Sequence, residues 1–338
     1  MSNYFCNFVC RLNDLYKHTS ITDMTNRYII LLAAAMIMSP APLCLAQASS
    51  SKVHSSTVNP TIPQKVSICG QSVSLDPLDY AERYDRELTS LIYTHGNTLL
   101  MIKRANRYFP QMAPVLRANG MPDDLLYLAC VESTLNPRAM SAAKAAGMWQ
   151  FLASTAKEYG LEVNDEVDER YNIEKSTAAA CRYFKKALAR YGGSWTSVMA
   201  AYNGGMARIT KQLDAQLADD AIELYLADET QRYPFRIMAT KAIMENPAAY
   251  GFKLTADELY RPRAVDIVEV KGPVDDWAAW AKKRGVSYRD LREENPWIRG
   301  PKLTNKTGKT YKVRVPMKES LSRSTARKAV YNPQWITK

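Results

Sequence analysis

From Asp76 onward the apolar positions recur at helical spacing, and the period changes only near Arg261-Pro262. Asp76 to Ile92 predicts a first helix, or two; Asn97 caps Thr98–Tyr108, and Pro110 opens a segment that stops at Asn119-Gly120. In the next stretch, Met121 to Ala139, Pro122 suits a first helical turn and Asp123 and Asp124 complement the positive end of the dipole. Asn136-Pro137 ends that helix, because the residue before a proline is pushed out of the helical region. Within it Leu125, Leu128, Ala129 and Glu132 fall at i, i+3, i+4 and i+7, so one carboxylate lies on the apolar face. Ser141–Tyr159 and Glu174–Tyr191 follow as helices, the second stopped by Gly192-Gly193; Trp195, Val198, Met199 and Tyr202 form another apolar face, ended by Asn203 and Gly204-Gly205. Stretches from Asp219 and from Pro234 to Glu245 complete a region with almost no strand signal, an α domain of roughly 180 residues.

Beyond that boundary Val265–Val270 and Tyr311–Pro316 alternate as strands around two short helices, Asp275–Arg284 and Tyr288–Glu294. The fold class expected is therefore mainly α, a helical domain over 71–260 followed by a small β-α-α-β module over 263–316. The basic tail, 317–338, lacks periodicity and reads as loosely ordered, and the Ser/Thr/Pro-rich stretch 49–70 reads as a linker. At the N-terminus, Arg27 precedes a wholly apolar run from Ile29 to Met38, with small-x-small cleavage candidates at Cys44-Leu45-Ala46 and Ala46-Gln47-Ala48. That is a secretory signal starting at Met24, too short to span a membrane, so 1–48 is an upstream extension plus signal peptide. Leu43 is bulky where a lipobox carries a small residue, which disfavours lipidation of Cys44.

Charge narrows the partners. The chain carries 45 Lys and Arg against 34 Asp and Glu, a net charge of +11, which favours an anionic partner. An RNA-binding aromatic signature, zinc-finger spacing and a phosphate-cradling glycine loop are all missing from the sequence, so nucleic acid is set aside; a cell-wall glycan or a membrane surface fits the charge equally well. Three histidines and scattered cysteines make no metal-ligand pattern, and neither a metal nor a cofactor is expected. Cys130 and Cys181 sit among alanines on helical stretches and read as buried small hydrophobes rather than a disulfide.

Glu132 is the candidate for chemistry. Burial on an apolar face and a place at the carbonyl end of a helix both push its pKa upward, as a general acid near neutral pH requires. Taken alone, such a residue reads first as a helix-edge group or half of a buried ion pair.

Four motifs in order change that balance: Glu132-Ser133-x-x-Asn136-Pro137; Ala145-Ala146-Gly147-x-Trp149-Gln150-Phe151; Ala201-Tyr202-Asn203-Gly204-Gly205; and Glu229-Thr230-x-x-Tyr233. Together they resemble the family 1 lytic transglycosylases, with their lysozyme-like helical catalytic domain, nearest the membrane-bound lytic murein transglycosylase D branch. The likeness covers about residues 85–250. Ala153 stands where the second motif usually has proline, and Asn172-Ile173 replaces a common Asp-Pro; both affect helix starts rather than chemistry. Asp276–Leu291, Asn295-Pro296 and Tyr311–Pro316 resemble a LysM module, a binder of N-acetylglucosamine-containing glycans, though Pro273-Val274-Asp275 departs from its usual opening; the alternative is a small structural appendage.

The resemblance implies an exported, periplasmic and monomeric enzyme that cleaves peptidoglycan glycan strands between N-acetylmuramic acid and N-acetylglucosamine, with peripheral membrane association left open. It assigns catalysis to Glu132 and substrate contacts to Ser133, Gly147, Gln150, Tyr202, Asn203 and Tyr233. Gly147 would allow close approach of a sugar ring, Gln150 would meet acetamido groups, and Tyr233 would hold the acid. Packing readings stand beside these: Trp149, Phe151 and Tyr233 as core, Asn203 as a helix cap, Ser133 as helix surface. Two alternatives follow. A goose-type lysozyme shares the fold but hydrolyses the bond and needs a second carboxylate, for which Asp165, Glu166, Asp168 and Glu169 are available; a non-catalytic glycan-binding protein would need neither.

Overall fold

The computed structural model describes residues 59–326 and 328–337; the signal segment and the first part of the expected linker, up to residue 58, lie outside them. The first elements are a hairpin the sequence pattern missed, β1 (Lys65–Ile68) and β2 (Gln71–Ser74), antiparallel with Lys65 opposite Ser74. It falls at the boundary between the expected linker and the helical domain. Its strands are only four residues long, Lys-Val-Ser-Ile and Gln-Ser-Val-Ser, too short for alternation to stand out as a period.

The helical domain follows: α1 (Leu78–Tyr93), α2 (His95–Ala118), α3 (Leu125–Ser133), α4 (Ala153–Glu158), α5 (Ile173–Arg190), α6 (Trp195–Gly204), α7 (Met206–Gln216) and α8 (Asp228–Glu245). α2 runs unbroken through Pro110 and Pro114, where two segments were expected. A proline inside a helix costs about 3 kcal/mol. Seven apolar side chains between Met101 and Leu116 are buried on this helix, and that packing outweighs the lost hydrogen bonds. Ser141–Tyr159, expected as a helix, is instead a knot of turns joined by single bridges (Met140 to Ala146, Ala146 to Phe151), with only α4 helical. Gly147 (φ 78°) and Gln150 (φ 48°) adopt left-handed backbone that ends any helix there. The stretch from Asp219 is likewise not an α-helix: the helix lies just before it, as α7, and only a single 3-10 turn follows at Ala221–Glu223.

α3 is the centre of the domain. Leu125, Leu126, Leu128, Ala129 and Cys130 are all at most 3% exposed, so the helix is enclosed on every side rather than along one stripe. Asp124 just before it accepts from the Cys69 backbone N–H (2.7 Å) and pairs with Lys241 of α8 (2.7 Å), tying the hairpin and α8 to its start. α8 is held in turn to α1 by Glu87. This carboxylate is 1% exposed and bonds the guanidinium groups of both Arg232 and Arg236. Such a charge is tolerated in the interior only because it is doubly paired. Cys69, Cys130 and Cys181 are free, and the last two are buried.

The C-terminal module is β3 (Val265–Val270), α9 (Trp277–Lys282), α10 (Tyr288–Glu294) and β4 (Tyr311–Pro316), the strands antiparallel with Val265 opposite Pro316 and Val270 opposite Tyr311. Its core also takes in Ala146, Val167 and Tyr171 of the helical domain, so the two parts share apolar surface. Trp297 would suit glycan stacking if exposed, but it is 3% exposed and stacks on Tyr311 (5.6 Å between ring centres) within that shared core. The tail is also better ordered than its lack of periodicity predicts. Trp335 is 2% exposed, packs against Phe109 and Tyr331, and donates its indole N–H to the Met244 carbonyl (2.6 Å). Tyr331 and Trp335 of the tail both meet Phe109 of the distant helix α2, a contact that no local period could signal. No helix among the described residues is long and apolar enough to cross a membrane.

Candidate active site

The site is built where α3 ends. Glu132 is its penultimate residue; Thr134 (φ 49°) and Leu135 (φ 53°) then turn the chain through left-handed backbone, two residues earlier than Asn136-Pro137 would have ended the helix. Non-glycine residues in that region store strain, each on the order of 1–3 kcal/mol, and the surrounding structure must hold them. Arg104 does so in part, donating to the Thr134 carbonyl (2.9 Å).

Burial pushes the Glu132 carboxyl up to about 7, with the charge of Glu229 adding to the rise; a hydrogen bond from Tyr233 and the charge of Arg236 oppose it. Tyr233 reaches from the middle of α8, is itself buried, and donates its hydroxyl hydrogen to Oε1 of Glu132. The carboxyl is thus kept near half-protonation at neutral pH, able to give a proton and then to take one.

Asn203 lies near the end of α6, and its Oδ1 accepts from the Thr230 hydroxyl (2.9 Å). Its amide N–H groups make no hydrogen bond to any described residue, and it is half-buried. Gly204 beside it must be small, because a Cβ there would lie 2.9 Å from the Thr230 methyl group.

The remaining expected contacts turn inward. Tyr202 donates its hydroxyl to the Trp149 carbonyl (2.7 Å) and stacks on Phe184 (5.4 Å between ring centres), so it fixes the turn of the second motif. Gly147 is buried, and a Cβ there would lie 2.0 Å from the Arg170 carbonyl; its close neighbour is this backbone, not a sugar. Gln150 spends a side-chain N–H on the Gly147 carbonyl (2.8 Å), while its Oε1 accepts no hydrogen bond from the described residues. Ser133 is buried and donates to the Ala129 carbonyl (3.1 Å), which leaves it a helix-interior hydroxyl. Trp149 and Phe151 are core, as the packing reading had it.

Sequence reasoning did not single out Glu87, Arg236 or Arg170. Glu87 falls one residue before the buried Leu88 and three after the buried Tyr84, so an acid on an apolar face was legible, but its partners 145 and 149 residues away were not.

The second motif packs against the end of α3, where the Ser133 hydroxyl lies 3.9 Å from the Met148 sulfur, and the third motif reaches the second through Tyr202 and the Trp149 carbonyl. Residues 113–224 match the model of the transglycosylase SLT domain, and residues 266–319 that of the soluble lytic transglycosylase C-terminal LysM-like domain. The chain carries a transglycosylase SLT domain. The chain is 33% identical over 244 residues to the membrane-bound lytic murein transglycosylase D of Escherichia coli K12, covering 71% of this chain and 52% of that protein. It is 37% identical over 106 residues to the peptidoglycan transglycosylase gp16 of Escherichia phage T7, covering 30% of this chain and 8% of that one. The chain thus spans about half the length of the first curated relatives it matches. Among solved structures, the 70 kDa soluble lytic transglycosylase of Escherichia coli aligns with a TM-score of 0.37 and 16% identity over 49% of this chain and 32% of that one. Glu132 and all of the second and third motifs fall inside the matched SLT domain; Tyr233 lies beyond it, on α8.

Proposed function

We propose that the SLT domain cleaves the β-1,4 bond between N-acetylmuramic acid and N-acetylglucosamine in peptidoglycan and leaves 1,6-anhydromuramic ends. The observation carrying this is the Glu132 carboxyl, raised to about 7 by burial and held by Tyr233, while Glu229, the other acid whose charge reaches it, is exposed. Protonated Glu132 gives its proton to the glycosidic oxygen as the bond to the muramic anomeric carbon breaks, with the substrate's own acetamido group assisting. Now a carboxylate, Glu132 takes the proton of the muramic C6 hydroxyl, whose oxygen bonds the anomeric carbon. The proton count closes without water, and the acid is regenerated.

A hydrolase would need a second carboxylate to activate water. Of the four acids near the second motif, Asp168 is paired with Arg170 (2.7 Å), Glu169 with Lys175 and Lys309, and Glu166 accepts from the Thr304 backbone N–H (2.7 Å). Asp165 is exposed. These engagements favour the single-carboxylate route. In substrate binding we keep Asn203 and Gln150, whose amide N–H groups and carbonyl oxygen respectively remain unengaged by the protein, and assign Tyr202, Gly147 and Ser133 to holding the site in shape.

The C-terminal module and tail supply the attraction to an anionic polymer. Residues 263–338 hold 18 Lys and Arg against 8 Asp and Glu, so +10 of the chain's +11 lies there. We further propose export through the signal that begins at Met24, checked by amino-terminal sequencing of periplasmic protein: a start near Gln47 or Ser49 is expected, and cytoplasmic retention or a diacylated Cys44 overturns it. Mass spectrometry of products released from purified sacculi tests the reaction. Fragments ending in 1,6-anhydromuramic acid are expected, lighter by one water than the reducing ends of a hydrolase; reducing ends refute the mechanism.

A further inference from the structure

Residues 162–170 stand between the C-terminal module and the turn that carries Gly147 and Gln150. On the module side Val167 bridges Ile298, the Asp168 backbone N–H donates to the Trp297 carbonyl (2.9 Å), and the Arg299 N–H donates to the Glu166 carbonyl (2.8 Å). The Glu166 carboxylate accepts from Thr304, and Lys309 of the module bonds both Glu162 (2.7 Å) and Glu169 (3.1 Å). On the other side Arg170 does the work. Its guanidinium, on a residue 8% exposed, is paired with Asp168 and donates through Nη1 to the carbonyls of Lys144 (2.8 Å) and Phe151 (3.1 Å). Those carbonyls are the two ends of the turn, and the Arg170 carbonyl itself presses on Gly147 between them.

The turn needs such a clamp. Lys144 (φ 63°) and Gln150 (φ 48°) are non-glycine residues in left-handed backbone, so the free segment would relax away from this shape. An arginine forks to several acceptors at fixed angles, and a buried one cannot release them to water. A second contact runs from the module to the exit of the first motif, where Arg138 pairs with Glu293 of α10 (2.7 Å).

We infer that the C-terminal module is a positioning element of the active site, which acts through the Asp168–Arg170 pair to hold the Gly147–Gln150 turn, with Arg170 as the positioning residue. This rests on the glycan-cleavage reading for its kinetic consequences but not for its structural ones. It also gives the module a task besides glycan capture: a module that only tethered substrate would need no shared core with the catalytic domain and no bonds to the segment that shapes the turn.

The test uses the full chain and two variants. Arg170→Lys keeps a cation opposite Asp168 but cannot reach both carbonyls; Lys309→Met loosens the module's hold from a partly exposed position and folds even if the first variant does not. Amide hydrogen exchange over residues 144–151 should quicken in both, about ten-fold or more for Arg170→Lys. On soluble, uncross-linked glycan strands KM should rise about ten-fold for Arg170→Lys, as a displaced binding turn requires, while the pH at which activity falls stays put. A merely structural pair would lower the active fraction and so the maximal rate, leaving KM unchanged. Unaltered exchange over 144–151 in the folded variants overturns the inference. Quickened exchange in an enzyme that releases no anhydro products would instead sustain it and refute the glycan reading.

Discussion

Tyr233 donates its hydroxyl hydrogen to the carboxylate of Glu132 across 101 residues of sequence, joining the middle of α8 to the end of α3. The bond stabilises the charged form of Glu132, against the larger push of burial toward the neutral one. It therefore sets how far above the ordinary carboxyl range the acid is poised. Tyr233→Phe should raise the Glu132 pKa further and move the alkaline fall of activity to higher pH. A charge-assisted bond of about 1.5–3 kcal/mol corresponds to a rate loss of roughly ten-fold or more, since it also orients the carboxyl. pH–rate profiles of both proteins check the shift; a fall moved toward lower pH would contradict this role.

Glu132→Gln keeps the shape and removes the transferable proton. Turnover on sacculi should fall by about ten-thousand-fold or more, because in the proposed reaction one group serves both proton transfers. In the wild type the folded-state pKa is raised from 4.5 to about 7, so the folded form binds the proton more tightly than the unfolded. The stability this gives is present below about pH 4.5 and is lost as pH rises to about 7, by roughly 2 kcal/mol once partial contact with water is allowed for. Thermal unfolding should find the variant no less stable than wild type at pH 8, and flatter across that window.

Gly147→Ala puts a methyl group 2.0 Å from the Arg170 carbonyl on a backbone at φ 78°. Backbone must move to accept it, so a loss of roughly 3 kcal/mol or more is expected, together with loss of activity. The contrast is Gly120→Ala, at φ 69° with open space around its Cβ, which should cost about 1 kcal/mol and leave activity intact. Denaturant unfolding of the two variants decides whether contact or backbone conformation sets the requirement.

Trp335→Ala should cost about 3–5 kcal/mol, the usual penalty for emptying a buried aromatic site, although the residue lies in a tail without periodicity. It should also expose Phe109 and free the Met244 carbonyl. A change in thermal midpoint of less than a degree would mean that the tail is not docked in solution.

Local order in this protein is written in its periodicity and its helix stops. Helices α1, α5 and α6 and the four elements of the C-terminal module lie close to where periodicity and stop signals put them, because each carries its own apolar face and terminators, whereas α8 begins at Asp228, more than a turn before the start expected at Pro234. Glu132 stood out as a carboxylate among apolar neighbours at helical spacing, and only the ordered motifs around it, matched by the SLT domain model, set it apart from a helix-edge acid. The tertiary structure decided everything that depends on residues far apart. Packing kept α2 continuous through two prolines, and left-handed backbone at Gly147 and Gln150 broke an expected helix into the turn that shapes the site. Tyr202, Gly147 and Ser133 were expected as substrate contacts but turn inward, since which way a polar atom turns depends on partners such as the Trp149, Ala129 and Arg170 carbonyls. The burial of Trp297 and the docking of the module and tail are of the same kind. A period reports which residues seek the interior, whereas contacts between segments a hundred or more residues apart are fixed only when the whole chain has folded.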